Sequence, residues 1–250
     1  MVGRKYKNPP IVEALCEFQF VVHDPGDMTI PGIIYERVKE EFPLKQQQLG
    51  FGVKVEPKEN IFEQKFEMLP PRMQYLRKDK TALVQVSPDF LVVNHLKPYP
   101  TWEKLKPLIL KMFGIYEEIA SPTKIKRIGL RYINRLDFDT STIELTDFFK
   151  YYPYVPHELP KDQSSLLCRV EIPYESQRDR LSLTLATVLP EKLNSVSLIL
   201  DLYYVLIDPE QITKDKIPDW LEQAHSVIEN VFENCITDKS RGRFEEVEKE

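Results

Sequence analysis

Glycine is scarce, with eight in 250 residues. No G-x-x-x-x-G-K-[ST] loop and no G-x-G-x-x-G turn occurs, so the two commonest glycine-built phosphate cradles are excluded. A G-x-S-x-G elbow and an H-E-x-x-H helix are missing too, and with them the α/β-hydrolase nucleophile and the helical zinc-protease site. Cysteine is limited to Cys16, Cys168 and Cys235. They are odd in number, widely spaced and without a C-x-x-C pair, so neither a disulfide framework nor a zinc site is supported. Cys16 and Cys168 fall in apolar strand patterns and Cys235 on an apolar helical stripe, which predicts buried thiols. No stretch approaches the roughly 18 apolar residues of a membrane span, and MVGRKYKNPPIVEAL has no continuous apolar run of the signal-peptide kind. A soluble, cytoplasmic protein without a membrane partner is expected. Positive charge is also short: 34 Lys and Arg face 39 Asp and Glu, for a formal net charge of −5. Phosphate-backbone binding relies on a cationic surplus, so nucleic acid is not the expected ligand.

What is present is ordinary globular composition, 42% hydrophobic and 29% charged, in a chain long enough for a sizeable core. EALCEFQFVV (13–22) alternates, placing Ala14, Cys16, Phe18, Phe20 and Val22 on one face and Glu13, Glu17 and Gln19 on the other, as a half-buried strand does. An amphipathic helix is predicted over 30–43, with Ile34, Val38 and Phe42 in its stripe. Segments 62–68 and 73–78 suggest a hairpin around Pro70-Pro71. Strands over 81–86 and 90–96 continue the sheet, interrupted at Ser87-Pro88-Asp89. TWEKLKPLILKMFGIYEEIA (101–120) predicts a helix capped by Thr101 and buried along Trp102, Leu105, Ile109, Met112, Phe113 and Tyr116, with Pro107 as a source of kinking.

The order then restarts. A strand over 124–138, a short helix over 144–153 and a strand over 164–174 are followed by strands 180–189 and 195–207 and a final helix over 218–236. Strand, short helix, about three strands and long helix thus occur twice. The expected fold is α+β: a mostly antiparallel sheet from two similar β-α-β-β-β-α halves, 1–122 and 123–237, with helices on one face and a polar face on the other. The 238–250 tail is charged and expected to fray. Two long loops, 44–61 (with QQQLGFG) and 153–163, follow the short helices and read as functional segments.

Four ordered segments, NPPIVEALCEF (8–18), QVSPDFLVVNHLKPYPTWE (85–103), RIGLRYINRLD (127–137) and WLEQAHSVIENVFENCITDK (220–239), together resemble an uncharacterised, sporadically distributed family of bacterial and archaeal proteins. The resemblance spans most of the chain. It implies no reaction, cofactor or catalytic residue; the patchy distribution implies a defence-linked or toxin–antitoxin setting.

The chemistry rests on few residues. His23, His95, His157 and His225 are scattered, and hydrogen-bonded or surface roles suit them better than metal ligation. Tyr151, Tyr152 and Tyr154 read as core packing plus an interface patch. In RIGLRYINRLD, Arg127, Arg131 and Arg135 share one face. They are either an anion-binding strip or half of an internal charge ladder whose other half is Glu13 and Glu17. Glu171, Asp201 and Tyr203 point the same way. Two readings follow: a non-catalytic interaction protein, engaging a protein partner through the polar sheet face and the 44–61 and 153–163 loops, or a second copy through a sheet edge or the tyrosine loop; alternatively a sensor or enzyme holding a small anionic ligand over Arg131 and Arg135, with Glu171 or Asp201 as acid–base. No cofactor is expected in either.

Overall fold

The computed structural model describes residues 4–58, 61–156, 158–159 and 165–247, with the side chains of 49–58 and 61–70 excepted. Within these, strands β1 (Ile11–Val21), β2 (Leu44–Lys58), β3 (Ile61–Leu76), β4 (Ala82–Ser87), β5 (Phe90–Leu96), β6 (Lys124–Phe138), β7 (Leu167–Tyr174), β8 (Asp179–Val188) and β9 (Val196–Leu206) form one sheet. Its order is β2-β3-β4-β5-β1-β6-β9-β8-β7, and all of the pairings are antiparallel. Five helices accompany it: α1 (Thr29–Val38), α2 (Trp102–Ala120), α3 (Leu145–Phe148), α4 (Ile217–Cys235) and α5 (Asp238–Phe244). The fold is therefore α+β.

The two first strands of the halves, β1 and β6, lie side by side at the centre. From that pair the sheet runs through β5, β4 and β3 on one side and β9, β8 and β7 on the other. The first half carries one strand more, β2.

Strand alternation explains the layering, because successive side chains leave a strand on opposite faces. Ala14, Cys16, Phe18 and Phe20 of β1, Ile128, Leu130 and Leu136 of β6, and Leu181, Leu183 and Leu185 of β8 are all buried. They form one core with the stripe Trp102, Leu105, Ile109, Met112 and Tyr116 of α2 and with Trp220, Leu221, Ala224 and Ile228 of α4. Phe18, Phe20, Phe113 and Tyr116 stack with centroids 4.5–6.3 Å apart. Each such ring buried contributes about 1.5–3 kcal/mol.

Several expectations need correction. The 62–78 hairpin does not exist: β3 is continuous and pairs with β2, which occupies the segment read as the loop 44–61. Pro70 and Pro71 fall where the β2–β3 register slips, between Gln48–Arg72 and Gly50–Leu69, which is where a strand tolerates proline. The short helix over 144–153 shrinks to the four residues of α3. Thr101 occupies the N-cap of α2 but its side chain makes no capping hydrogen bond. The tail beyond Asp238 does not fray over α5. Thr237 caps that helix through Ser240 N–H, and Phe244 is buried edge-on against Tyr6, centroids 5.5 Å apart. Of the loop 153–163, residues 157 and 160–163 lie outside the described residues, and His157 with them. Cys16 and Cys235 are buried as expected, whereas Cys168 is half-buried and donates its thiol hydrogen to Tyr151 Oη at 3.2 Å.

Candidate functional site

The helix-free face of the sheet is built from the alternate positions of the same strands. At its middle, Arg131 of β6 faces Tyr203 of β9 in register, and one row further along lies Asp201. The guanidinium of Arg131 grips Asp201 with two parallel bonds, Nε to Oδ1 at 2.8 Å and Nη2 to Oδ2 at 2.6 Å. That fork is among the stronger pairings available to a half-buried arginine. The hydrogen bond to Asp201 raises the pKa of Arg131 above its ordinary value, against the opposing effect of burial.

Tyr203 leans from β9 across β6 and donates its hydroxyl to Glu17 of β1 at 2.5 Å. It crosses over Gly129. A Cβ at that position would sit 2.5 Å from the Tyr203 ring, so only glycine admits the crossing. Arg127 Nη2 donates to Tyr203 Oη at 3.0 Å, Arg127 Nε lies 3.8 Å from Glu17, and both Arg127 and Arg131 stand over the tyrosine ring at 5.3 and 5.7 Å. Burial first, then Glu17, pushes the Tyr203 phenol well up, so it remains a donor.

Towards β2 the face changes from charges to amides. Gln46 and Gln48 bond Gln74, Gln74 bonds Gln85, Gln85 bonds Asn94, and Asn94 donates to Glu13 at 2.5 Å. Glu13 is thus the end of an amide ladder and, among the described residues, forms no ion pair with an arginine. The expected pairing of Glu13 and Glu17 with the arginines holds for Glu17 and Arg127 alone. Arg135 at the far end is held by Asp137, by Ser197 Oγ and by the carbonyl of Leu189. The sequence reading missed Gln46, Gln48 and Gln74; their spacing of two within β2, and the pairing of β2 with β3, were the signals.

Charge is left over at one end. A groove of about 410 Å³ opens over β6, β9, β8 and β7, lined by Gln19, Lys126, Arg127, Arg169, Glu171, Arg180, Ser182 and Tyr203 among others. Four cations face one carboxylate there. Glu171 is shared between Arg180 and Arg169, each at 2.7 Å, and their hydrogen bonds lower its pKa. Arg127 Nε is buried without a hydrogen-bond partner. A second cleft, about 680 Å³, lies at the opposite end against Lys7, Lys97, Tyr99, Arg135, Asp137 and Arg243.

His95 and His225 are each hydrogen-bonded within the fold. His95 is buried on β5 beside the Leu96 carbonyl, and burial lowers its pKa. His225 of α4 stacks on Trp102 at 4.2 Å, and its Nδ1 lies 3.2 Å from Tyr132 Oη, which in turn meets Tyr99 Oη at 2.9 Å. Glu229 closes that chain 3.3 Å from His225 Nε2. Among the described residues no three of His, Cys, Asp and Glu are grouped to hold a metal ion, and no helix is long and apolar enough to cross a membrane.

No protein-family model matches the sequence, and no curated protein does. Among solved structures, the chain is similar at 10% identity and a TM-score of 0.18 to the S. pombe Pct1 RNA triphosphatase, covering 88% of this chain and 83% of that one. The same enzyme in complex with the Spt5 CTD gives 9% identity and a TM-score of 0.15, over 90% and 81%. Similarity that low carries no statement about the function of this chain.

Proposed function

We propose that this chain is a binding protein whose open sheet face takes a small anionic ligand, phosphate- or carboxylate-bearing, in the groove over β6–β9–β8–β7. One observation carries the reading: Lys126, Arg127, Arg169 and Arg180 converge there with Glu171 as the one carboxylate of the lining, Glu17 standing 3.8 Å from Arg127 Nε behind it. The groove shifts the ligand away from Arg131 and Arg135, whose guanidiniums are occupied by Asp201 and Asp137. Binding is favoured over acid–base turnover because both candidate carboxylates, Asp201 and Glu171, are held in arginine pairs.

We also propose that the chain belongs to the uncharacterised family that its four segments resemble, a reading supported by where those segments meet. Tyr99, Trp102, Tyr132 and His225 come from three of them and touch one another, while the backbone N–H of Lys97 bonds the Val12 carbonyl of the fourth. We also propose that the two halves arose by duplication, for which the matching order of strands outward from β1 and β6 speaks.

Calorimetric titration with phosphate, pyrophosphate, a nucleoside triphosphate and a tricarboxylate tests the groove. At least one is expected to bind in the micromolar range at low salt, weakened at least about tenfold by Arg127→Gln or Lys126→Gln, the loss expected for a charge-assisted contact. Arg37→Gln, on the helix side beside Glu118, serves as the control. Absence of binding by all four, or binding indifferent to Arg127 and Lys126, would overturn the assignment.

A further inference from the structure

β7 ends the sheet, and nothing in the described residues covers it. Along its whole length only Cys168 and Tyr174 are half-buried; Leu167, Val170 and Ile172 stand 77, 39 and 37% exposed. A long, partly apolar edge strand offers a row of unpaired backbone groups to another chain, and monomeric proteins ordinarily blunt such an edge.

The hydrogen-bond phase of that edge is fixed by its neighbour. Thr187 N–H donates to the Leu166 carbonyl at 2.9 Å, and the β7–β8 register continues from Leu167 opposite Ala186 to Tyr174 opposite Asp179. Antiparallel pairing alternates, so Cys168, Val170, Ile172 and Tyr174 turn their backbone groups towards β8. Leu167, Arg169, Glu171 and Pro173 turn theirs outward. Proline has no N–H to offer, and it sits on the outward set, where a missing donor leaves the β7–β8 ladder intact.

We propose that this edge pairs antiparallel with β7 of a second copy across a twofold axis at Val170. In that register the outward groups of Arg169 meet those of Glu171 in the other copy, and the reverse, so each arginine faces a carboxylate. Leu167 N–H meets the Pro173 carbonyl, while the Leu167 carbonyl receives no donor in return, because proline has no N–H. Sliding the copies to either neighbouring twofold register sets Arg169 against Arg169 or Glu171 against Glu171. Directly opposed unlike charges contribute about 0.2–1 kcal/mol per pair, and like charges oppose pairing. The charge order R-V-E is therefore self-complementary in one register only. On the helix side the same register brings the exposed Ile172 against Cys168 and Val170 against its own copy, giving the uncovered apolar strip a neighbour.

The inference also bears on the groove, and in this part it rests on the proposed function. Arg169 and Glu171 line the outer wall of that groove. Arg169 and Glu171 of the second copy would stand opposite Glu171 and Arg169 on the same face, extending each of two sites along a continuous sheet without changing its charge balance.

Sedimentation velocity on the full chain tests the pairing. A concentration-dependent species of twice the 29.4 kDa chain mass is expected. Arg169→Glu and Glu171→Arg should each weaken dimerisation at least about tenfold, and the double exchange should restore it. Independently, Val170→Cys in a Cys168→Ser background should cross-link under mild oxidation, because the two Cβ atoms meet at a non-hydrogen-bonded pair. A wild-type chain monomeric at all concentrations overturns the proposal, as does a dimer that survives both single exchanges and fails to cross-link at position 170. Titration of the four anions into the same samples separates the two ideas. A monomer that binds through Arg127 leaves the groove standing without the dimer; a dimer that binds none of the four anions leaves the interface standing without the groove.

Discussion

Tyr203 reaches Glu17 only because position 129, directly beneath its ring, carries no side chain. Gly129→Ala is therefore expected to displace the ring, release Glu17 and Arg127 from the tyrosine hydroxyl, and cost about 1–3 kcal/mol, the range for forcing an extra carbon into a packed site. Urea unfolding measures the stability loss, and anion titration of the same variant should show weakened binding, since Arg127 loses its support. A variant as stable as the parent and equally competent would mean that the crossing is dispensable. The sequence made the arginine row visible, since four-residue spacing fixes a face whatever the backbone. It did not show who the partners were. Asp201 and Tyr203 reach Arg131 and Arg127 through the β6–β9 register, and register is a product of the whole sheet. Glu17 was legible as a partner; Glu13 was not, because its acceptor role depends on the amides of distant strands.

At the scale of elements, strong periodicity survived and weak periodicity did not. β1 and β6 alternate over ten or so residues, and α2 and α4 keep an apolar stripe through many turns, so tertiary packing and local pattern agree. β2 was opaque because Lys45, Gln46, Gln47 and Gln48 give no apolar alternation. α5 was opaque because its charged sequence contributes one large apolar anchor, Phe244. A helix that short is not stable alone and owes its existence to docking. Phe244 packs on Tyr6 and Phe232, and the backbone N–H groups of Lys7 and Asn8 bond the carbonyls of Glu245 and Phe244. Phe244→Ala should thus cost about 3 kcal/mol or more and release both chain ends together. Hydrogen exchange should show lost protection at Lys7 and Asn8 along with α5. Loss confined to α5, with Lys7 and Asn8 still protected, would show that the amino-terminal segment is held by something else.

Across the whole molecule, acid should loosen both halves. Glu41, just beyond α1, is bonded by Lys111 of α2 and by Arg77 after β3, so it ties three parts of the first half. Burial raises its pKa, but the bonds from Lys111 and Arg77 outweigh that and hold it below the ordinary value. Asp137 in the second half shows the same balance: burial is outweighed by Ser197 and Arg135, joining the end of β6 to β9. A carboxyl whose folded pKa lies below its unfolded one favours the unfolded chain once protons bind, because the unfolded state takes them up more readily. The stabilisation is fully present above the ordinary carboxylate range, about pH 4, and is lost as pH falls through the lower folded values. Urea midpoints should accordingly stay level from neutral pH down to about 5 and then decline steeply towards 3. Glu41→Gln, which cannot titrate, should lower stability at neutral pH and flatten that decline, and Asp137→Asn should do the same by a similar amount. Since the two residues lie in different halves of one sheet and share no partner, their effects should add, and the double variant should flatten the decline further. A decline unchanged in the double variant would assign the acid sensitivity to other carboxylates and leave these two pairs as local contacts.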